Sequence, residues 1–252
     1  KEDINRVFNL SVEYPIRASL YIENNATTME RYLLINIHHI AFDGWSVNIL
    51  QRELTTYYEY YSENKLLDLP ELTIQYKDFA VWQRNYLNNE KLNKDINYWV
   101  NKLQGYETLN LPLDKRRKSQ IDYSGKDIHF SIDKVISKKL RDLAQNLDVS
   151  LYSLLLSGFY ILLSGYSNQE DIVVGTVVAN RHYAQLEDLV GFFINSLVLR
   201  SKIKKDMLLI DYIKEVGHEM IEAQLHQDVP FEKLVNKLRI EKDTSKHPIF
   251  QV

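Results

Sequence analysis

The sequence contains no cysteine, which excludes disulfide bonds, a thiol nucleophile and thiolate metal ligands. It has no uninterrupted apolar run long enough to span a membrane. The longest such run, residues 151–163, contains tyrosine, serine and glycine, and therefore predicts a buried helix. It also lacks a strong charge of one sign, because the formal net charge is -3. The single basic cluster, residues 115–118, is short and is interpreted as a solvated linker, so we expect neither a membrane nor a nucleic acid as partner.

The chain begins at Lys1 with no methionine and no secretory signal, so we expect a segment of a larger, cytoplasmic polypeptide. Its 252 residues, 45% of them hydrophobic and 26% charged, have the composition of a globular protein with a substantial core. The function classes that remain are those of a globular protein that works without thiol chemistry.

The alternation of apolar and polar residues predicts an α/β (α+β) protein in two halves, because the strand–helix pattern restarts after a polar connection at residues 111–125. In the first half, two antiparallel strands are predicted at residues 16–22 and 32–38, joined by a turn at residues 24–28. Three helices are predicted after them, at residues 46–61, 74–88 and 90–104. In the second half, strands are predicted at residues 128–132, 171–178 and 197–203. Helices are predicted at residues 133–146, 150–166 and 207–226.

One stretch of the first half gathers the chemically capable residues His38, His39, Asp43, Gly44, Trp45 and Ser46. It directly follows the apolar run of residues 32–37, so we expect both histidines at the end of a strand. Successive strand side chains point to opposite faces, and therefore only one of the two imidazoles can face a given cavity. Gly44 is expected to supply the φ freedom of a tight turn, and Ser46 to cap the following helix.

The residues alone leave two interpretations of this stretch open. In the structural one, the histidines are a satisfied pair at a strand end and Asp43 forms a turn. In the catalytic one, a histidine acts as an acid–base group and Asp43 fixes its surroundings. A metal site is disfavoured, because the strand separates the imidazoles and no third ligand stands at zinc-like spacing.

The string His-His-Ile-Ala-Phe-Asp-Gly-Trp-Ser, residues 38–46, resembles the core motif of condensation domains from nonribosomal peptide synthetases. Those domains share a fold with chloramphenicol acetyltransferase. Further stretches resemble motifs of the same family in the same order, at residues 8–22, 74–83, 179–200, 226–235 and 243–252. The family's two earliest motifs and its last strands have no counterpart here, so the chain resembles the middle of such a domain, incomplete at both ends.

The resemblance implies two partial acetyltransferase-like subdomains, residues 1–120 and 121–252, with the active site in the cleft between them. It implies amide-bond formation between donor and acceptor aminoacyl thioesters, with no acyl-enzyme intermediate. His39 would be the catalytic residue, and His38, Asp43 and Gly44 would be structural residues of the motif. Trp45, Ser46 and Asn195 are possible substrate-cleft residues. Asp43 would be braced by an arginine that typically lies in the missing early motifs, and Arg17 is the candidate substitute.

The resemblance also implies that the domain itself binds no cofactor and no metal. Phosphopantetheine arms would be delivered by an upstream donor and a downstream acceptor peptidyl carrier protein, and an adenylation domain would adjoin. Three alternatives stay open: an epimerization domain with the same fold, a non-catalytic module that docks carrier proteins, and a free acyltransferase that uses coenzyme A. A heterocyclisation domain does not fit, because it would carry aspartates in place of the histidines.

Overall fold

The computed structural model describes residues 2–24, 29–87, 90–115, 117–121, 124–240 and 243–252. The strands are β1 (Ile16–Asn24), β2 (Met29–Ile37), β3 (Asp171–Val178) and β4 (Asn195–Lys202). The helices are α1 (Glu2–Asn5), α2 (Gly44–Glu63), α3 (Tyr76–Tyr86), α4 (Glu90–Lys102), α5 (Lys134–Asn146), α6 (Leu151–Ser167), α7 (Leu209–Leu225) and α8 (Phe231–Leu238). Two single 3₁₀ turns, His39–Ala41 and Ala184–Leu186, complete the described elements.

Most of the predicted elements are confirmed. Strands β1 and β2 pair antiparallel, with Ile16 opposite Ile37, while the turn predicted between them falls largely outside the described residues. The Asp133 carboxylate accepts hydrogen bonds from the Val135 and Ile136 amides at the start of α5, and the Ser150 hydroxyl accepts one from the Ser153 amide at the start of α6. Both helices therefore begin where their capping residues predict.

The strand predicted at residues 128–132 is wrong. These residues are described, but none of them pairs with another described strand. Ile128 and Phe130 are 87% and 85% exposed. Their alternating pattern is that of a half-buried strand, but a strand forms only where a neighbour accepts and donates its backbone hydrogen bonds.

The chain forms two compact units. Unit 1 is Lys1–Asn85 with Ala179–Ile194, and unit 2 is Tyr86–Val178 with Asn195–Val252. The units thus divide the chain at different points from the predicted subdomains 1–120 and 121–252, and that subdomain boundary stays a prediction. Residues 179–194 belong to unit 1, although the strands on either side of them belong to unit 2.

Unit 1 has a small aromatic and aliphatic core. Phe79 on α3 packs with Leu186, Leu189 and Phe193 of the 179–194 segment, and Ile74 covers the cluster. One side of α2 also faces inward, since Ser46 and Ile49 are its buried residues. Long-range contacts between α3 and the segment therefore hold the unit together, rather than a large sheet.

Unit 2 has the larger core. Strands β3 and β4 pair antiparallel, with Asp171 opposite Lys202, and Ile172 on β3 and Val198 on β4 are almost fully buried. Helices α6 and α7 pack together and carry buried Tyr160 and Val216 into the same core. No single helix among the described residues is long and apolar enough to cross a membrane. Helices α5 and α6 meet that criterion only as a pair bent by 105°.

Candidate functional site

The two histidines lie in a turn, not on the strand. Strand β2 ends at Ile37, His38 caps the 3₁₀ turn, and His39 is the first residue of the turn. The predicted strand alternation at this pair is therefore wrong, because the backbone leaves the sheet one residue too early. The two imidazoles differ through the turn's hydrogen bonds rather than through the faces of a pleated strand.

His38 is engaged in the turn. Its Nδ1 accepts a hydrogen bond from the Ile40 amide at 3.0 Å, and its own amide donates to the Pro15 carbonyl at 2.8 Å. Its ring also meets Phe8 edge to face, with centroids 5.7 Å apart. His38 thus stabilises the turn.

His39 has the opposite environment. It is exposed, and none of the described residues hydrogen-bonds its imidazole. Its ring meets Phe192 edge to face at a centroid distance of 5.3 Å. Within unit 1, His39 is therefore a histidine of the motif whose two ring nitrogens are both available to a ligand.

Asp43 begins helix α2. Its carboxylate accepts a hydrogen bond from the Ser46 amide at 3.0 Å, so Asp43 is the N-cap and the prediction that Ser46 caps the helix is wrong. An aspartate is as good a cap as a serine, and it stands at the position where the chain leaves extended geometry. Gly44 is the first residue of α2 and has no positive φ, so the turn freedom predicted for it is not used.

The arginine that pairs with Asp43 is Arg181. Its Nη2 lies 3.1 Å and 3.2 Å from the two Asp43 oxygens, and its Nη1 donates to the Leu186 and Leu189 carbonyls. Both side chains of the pair are almost completely buried. Arg17, the predicted substitute, is wrong: it donates instead to the Glu13 carboxylate and stacks on Phe8.

Ser46 joins this buried pair. Its hydroxyl donates to Asp43 at 2.7 Å and accepts from Arg181 Nη2 and from the Gly191 amide, each at 3.1 Å. The Phe193 amide donates to the other Asp43 oxygen at 3.1 Å. Asp43, Ser46 and Arg181, here called the Asp43 network, therefore tie the start of α2 to the 179–194 segment.

The Asp43 network keeps its carboxylate ionised. Burial by itself would raise the pKa of Asp43, which is 2% exposed. The hydrogen bonds from Ser46 and from the Phe193 amide, with the charge of Arg181, outweigh burial and lower the pKa below its ordinary value. A buried charge with this many partners fixes geometry and does not exchange protons near neutral pH.

Trp45 is a predicted cleft residue that precedes Ser46 in the sequence and is not itself part of the network. Its indole Nε1 donates to the Glu187 carbonyl at 2.9 Å, and its side chain remains partly exposed. The guanidinium of Arg181 stacks on the Phe193 ring at 4.0 Å. Ser46 is fully buried in the network, so of the residues predicted to be catalytic or to line the cleft within the motif, His39 and Trp45 offer exposed side chains.

Asn195 lies in unit 2 and has a structural environment. Its Nδ2 donates to the Gln227 and Val229 carbonyls, both at 2.7 Å. Its Oδ1 accepts from the Ser196 and Phe231 amides. These bonds use both amide hydrogens and the oxygen, so the side chain holds the turn before α8 and offers no free group to a substrate.

Two residues that contact the motif were missed by the sequence reasoning. Arg181 and Phe192 both lie in the stretch that carries a family resemblance, but nothing in their spacing shows that they meet residues 43 and 39. The signal that could have found Arg181 is its charge next to the apolar strand β3, where an unpaired guanidinium is costly. Among the described residues, no group of three or more histidines and carboxylates could hold a metal ion.

The family model described as the condensation domain matches residues 1–252. The N-(5-amino-5-carboxypentanoyl)-L-cysteinyl-D-valine synthase of Amycolatopsis lactamdurans is 42% identical over 246 residues, which cover 98% of this chain and 6% of that protein. Bacitracin synthase 3 of Bacillus licheniformis is 41% identical over 222 residues, 88% of this chain and 3% of that protein. The chain thus spans only a small part of the curated relatives that it matches.

Solved structures match over nearly the whole chain. The X-domain from teicoplanin biosynthesis has a TM-score of 0.89 at 25% identity, covering 100% of this chain and 56% of that chain. A four-domain nonribosomal peptide synthetase bound to AMP and glycine has a TM-score of 0.86 at 24% identity, covering 99% of this chain and 18% of that chain. The first condensation domain of the CDA synthetase has a TM-score of 0.69 at 17% identity, covering 88% and 49%. These likenesses confirm the predicted fold class, which condensation domains share with chloramphenicol acetyltransferase.

Proposed function

The chain belongs to the condensation-domain family, and on that premise we propose that it takes part in peptide-bond formation between two aminoacyl thioesters held on carrier proteins. The amine of the acceptor attacks the donor thioester carbonyl, the new C–N bond forms, and the donor's carrier thiol leaves. The amine loses one proton, and the departing thiolate takes one up.

The observation that carries the proposal is the contrast between the two histidines. His38 is held by the Ile40 amide, whereas the imidazole of His39 is exposed and free to bind a substrate. The Asp43 network lies directly after the turn and fixes the start of helix α2, which follows it. A fixed backbone with one free imidazole is what a positioned acid–base group requires.

The chemical demand on His39 is modest. An α-amino group has a pKa of about 7.7–8.0, so roughly a tenth of it is already neutral at pH 7. His39 therefore orients the amine and accepts its proton as the tetrahedral species forms. It does not have to act as a strong base that deprotonates the amine beforehand. Such help is typically worth about 10²–10⁴-fold in rate.

The partners that we propose are an upstream donor and a downstream acceptor peptidyl carrier protein, with an adenylation domain beside them. Phosphopantetheine arms on the carriers would bring both thioesters, so the domain would need no cofactor of its own. Support comes from the relatives, which are large synthases, and from the similar four-domain nonribosomal peptide synthetase.

The first prediction tests His39 in the full-length protein that carries this sequence, supplied with carrier proteins loaded with a panel of aminoacyl thioesters. His39→Ala should lower the rate of dipeptidyl thioester formation, followed by mass spectrometry, by about 10²–10⁴-fold. The melting temperature should stay the same, because the exposed imidazole has no hydrogen-bond partner among the described residues. His129→Ala, which removes another exposed imidazole, is the matched control. An active His39→Ala variant would contradict the proposal.

A second candidate function is a protein-binding module without turnover. It is favoured by the X-domain structures, one of which is a complex of the X-domain with OxyB. Under this alternative the wild-type protein would bind loaded carriers or a tailoring enzyme, and no dipeptidyl thioester would appear. An epimerization domain would instead invert a single carrier-bound residue without any second thioester, which chiral analysis of the released amino acid would detect.

A further inference from the structure

Phe192 is the side chain that constrains the ring of His39. The two rings meet at an interplanar angle of 87° with centroids 5.3 Å apart. Since none of the described residues hydrogen-bonds the imidazole, this ring contact limits the rotation of the His39 ring. Edge-to-face contacts prefer a defined orientation of both rings, so Phe192 selects a direction for the ring nitrogens.

Phe192 is itself held by Tyr76 on α3. The Tyr76 hydroxyl donates a hydrogen bond to the Phe192 carbonyl at 2.9 Å, and its ring meets Phe193 edge to face at 5.0 Å. Tyr76 also packs against the backbone of the preceding residue: a Cβ on Gly191 would stand 2.3 Å from the Tyr76 ring. Only glycine allows an approach this close, so the segment is shaped around Tyr76.

These contacts form a continuous path within unit 1. Tyr76 fixes the backbone of Gly191 and Phe192, and the Phe192 ring then meets His39. The Asp43 network holds the same short segment from another point, because the amides of Gly191 and Phe193 donate to Ser46 and Asp43. The backbone of Phe192 is thus fixed on both sides, while its ring is free to contact the histidine.

We propose that Tyr76 and Phe192 are positioning residues for His39: Phe192 orients the imidazole through the ring contact, and Tyr76 holds Phe192 in place. This inference rests on the proposed function, in which His39 handles the proton of the attacking amine. Its consequence is kinetic, because an acid–base group that is aimed wrongly loses rate even when the substrates bind normally.

The test compares three variants of the full-length protein. Tyr76→Phe removes only the hydroxyl that holds Phe192, Phe192→Leu removes the ring, and Phe192→Tyr keeps the ring. Tyr58→Phe, at an exposed tyrosine on α2, is the matched control for loss of a hydroxyl. Three quantities are measured: kcat and KM with carrier-bound aminoacyl thioesters, and the NMR chemical shift of the His39 Hε1 proton, which senses the ring current of Phe192.

We expect Tyr76→Phe to lower kcat about threefold to tenfold with KM unchanged, as the loss of one hydrogen bond predicts. Phe192→Leu should lower kcat at least as much and should move the His39 signal. Phe192→Tyr, which keeps the ring, should leave kcat and the His39 signal close to those of the wild type. Unchanged kcat and an unchanged His39 signal in Tyr76→Phe and Phe192→Leu would overturn the proposal. A rise in KM with kcat unchanged would also overturn the proposal, because it would mean that the replaced residue contacts the substrate directly.

The NMR measurement separates the two proposals. If His39→Ala keeps full activity, the proposed function fails. The His39 signal in the wild type and in the Phe192 and Tyr76 variants then still shows whether these two residues orient the imidazole. If His39→Ala is inactive while both positioning variants behave as wild type, the proposed function stands and this inference fails. Thermal melting of each variant excludes a loss that comes from unfolding.

Discussion

Each unit of the molecule contains a buried arginine that is paired with an aspartate, and the two pairs are built differently. In unit 2, Arg200 uses Nε and Nη2 to bind both oxygens of Asp171, and it also donates to the carbonyls of Lys102, Gln104 and Gly105. In unit 1, Arg181 reaches Asp43 through a single nitrogen, Nη2. Within the described part of the chain, the buried Nε of Arg181 has no partner.

The two pairs differ in how many other contacts hold each arginine and in what else each aspartate does. Arg200 has three carbonyl acceptors besides Asp171, so its charge stays solvated by the backbone if the carboxylate is lost. Asp171 and Arg200 lie on the paired strands β3 and β4, whose ladder is held independently. Arg181 also has backbone acceptors, the Leu186 and Leu189 carbonyls, but its buried Nε has no partner among the described residues, and Asp43 in addition caps α2. The unit 1 pair therefore fixes the candidate site, and the unit 2 pair reinforces a sheet that is already fixed.

The largest effect is expected at Asp43. Asp43→Ala leaves a buried guanidinium without its counter-charge and removes the cap of α2, which should destabilise the protein by about 3–5 kcal/mol. Replacing both members, Asp43→Ala with Arg181→Met, should be less harmful than removing Asp43 alone, because no buried charge is then stranded. Urea unfolding of the variants measures both. If Asp43→Ala were as stable as wild type but inactive, the role of Asp43 would be catalytic.

The matched change in unit 2 should be milder. Asp171→Ala is expected to cost about 1–3 kcal/mol, because Arg200 keeps its carbonyl acceptors and Asp171 is 14% exposed. The free energy of unfolding, measured under the same conditions as for Asp43→Ala, gives the comparison directly. An equal loss of unfolding free energy in Asp171→Ala and Asp43→Ala would show that the two pairs contribute equally to stability.

The smallest effect is a dependence on pH. Because the folded protein lowers the pKa of Asp43, the carboxylate contributes stability above its ordinary pKa of 3.8, and this contribution is lost as the pH falls through the lowered value. Asp43→Asn lacks this titration. The difference in unfolding free energy between wild type and Asp43→Asn should therefore shrink as the pH is lowered below 3.8. A gap that stays constant down to pH 2.5 would mean that Asp43 is not the titrating group.

The elements that could be predicted from the sequence are those that carry their own boundaries. Helix α5 begins after a capping aspartate, and β3 is a continuous β-branched run, so both were predicted close to their observed bounds. Residues 128–132 show the same alternation as a true strand but find no partner among the described strands. Local pattern predicts the tendency to form a strand, whereas pairing is decided by distant parts of the chain.

The candidate site divides in the same way. The motif around His39 was recognisable from its residue types, and so was the need of Asp43 for an arginine. The identity of that arginine was not, because Arg181 is 138 positions away and Arg17 is much nearer in sequence. The assignment of the cap to Ser46 failed by three residues for a local reason, since aspartate and serine are both good caps.

The insertion of residues 179–194 between two paired strands has a consequence for how such proteins can be recombined. Arg181 and Phe192 are inherited with β3 and β4, whereas His39 and Asp43 are inherited with β1, β2 and α2. A crossover anywhere from residue 86 to residue 178 would join the histidine turn of one parent to the arginine segment of another. Chimaeras made there would combine Asp43 from one parent with Arg181 from the other, so breakpoints that preserve the site must leave residues 39–193 within a single parental block.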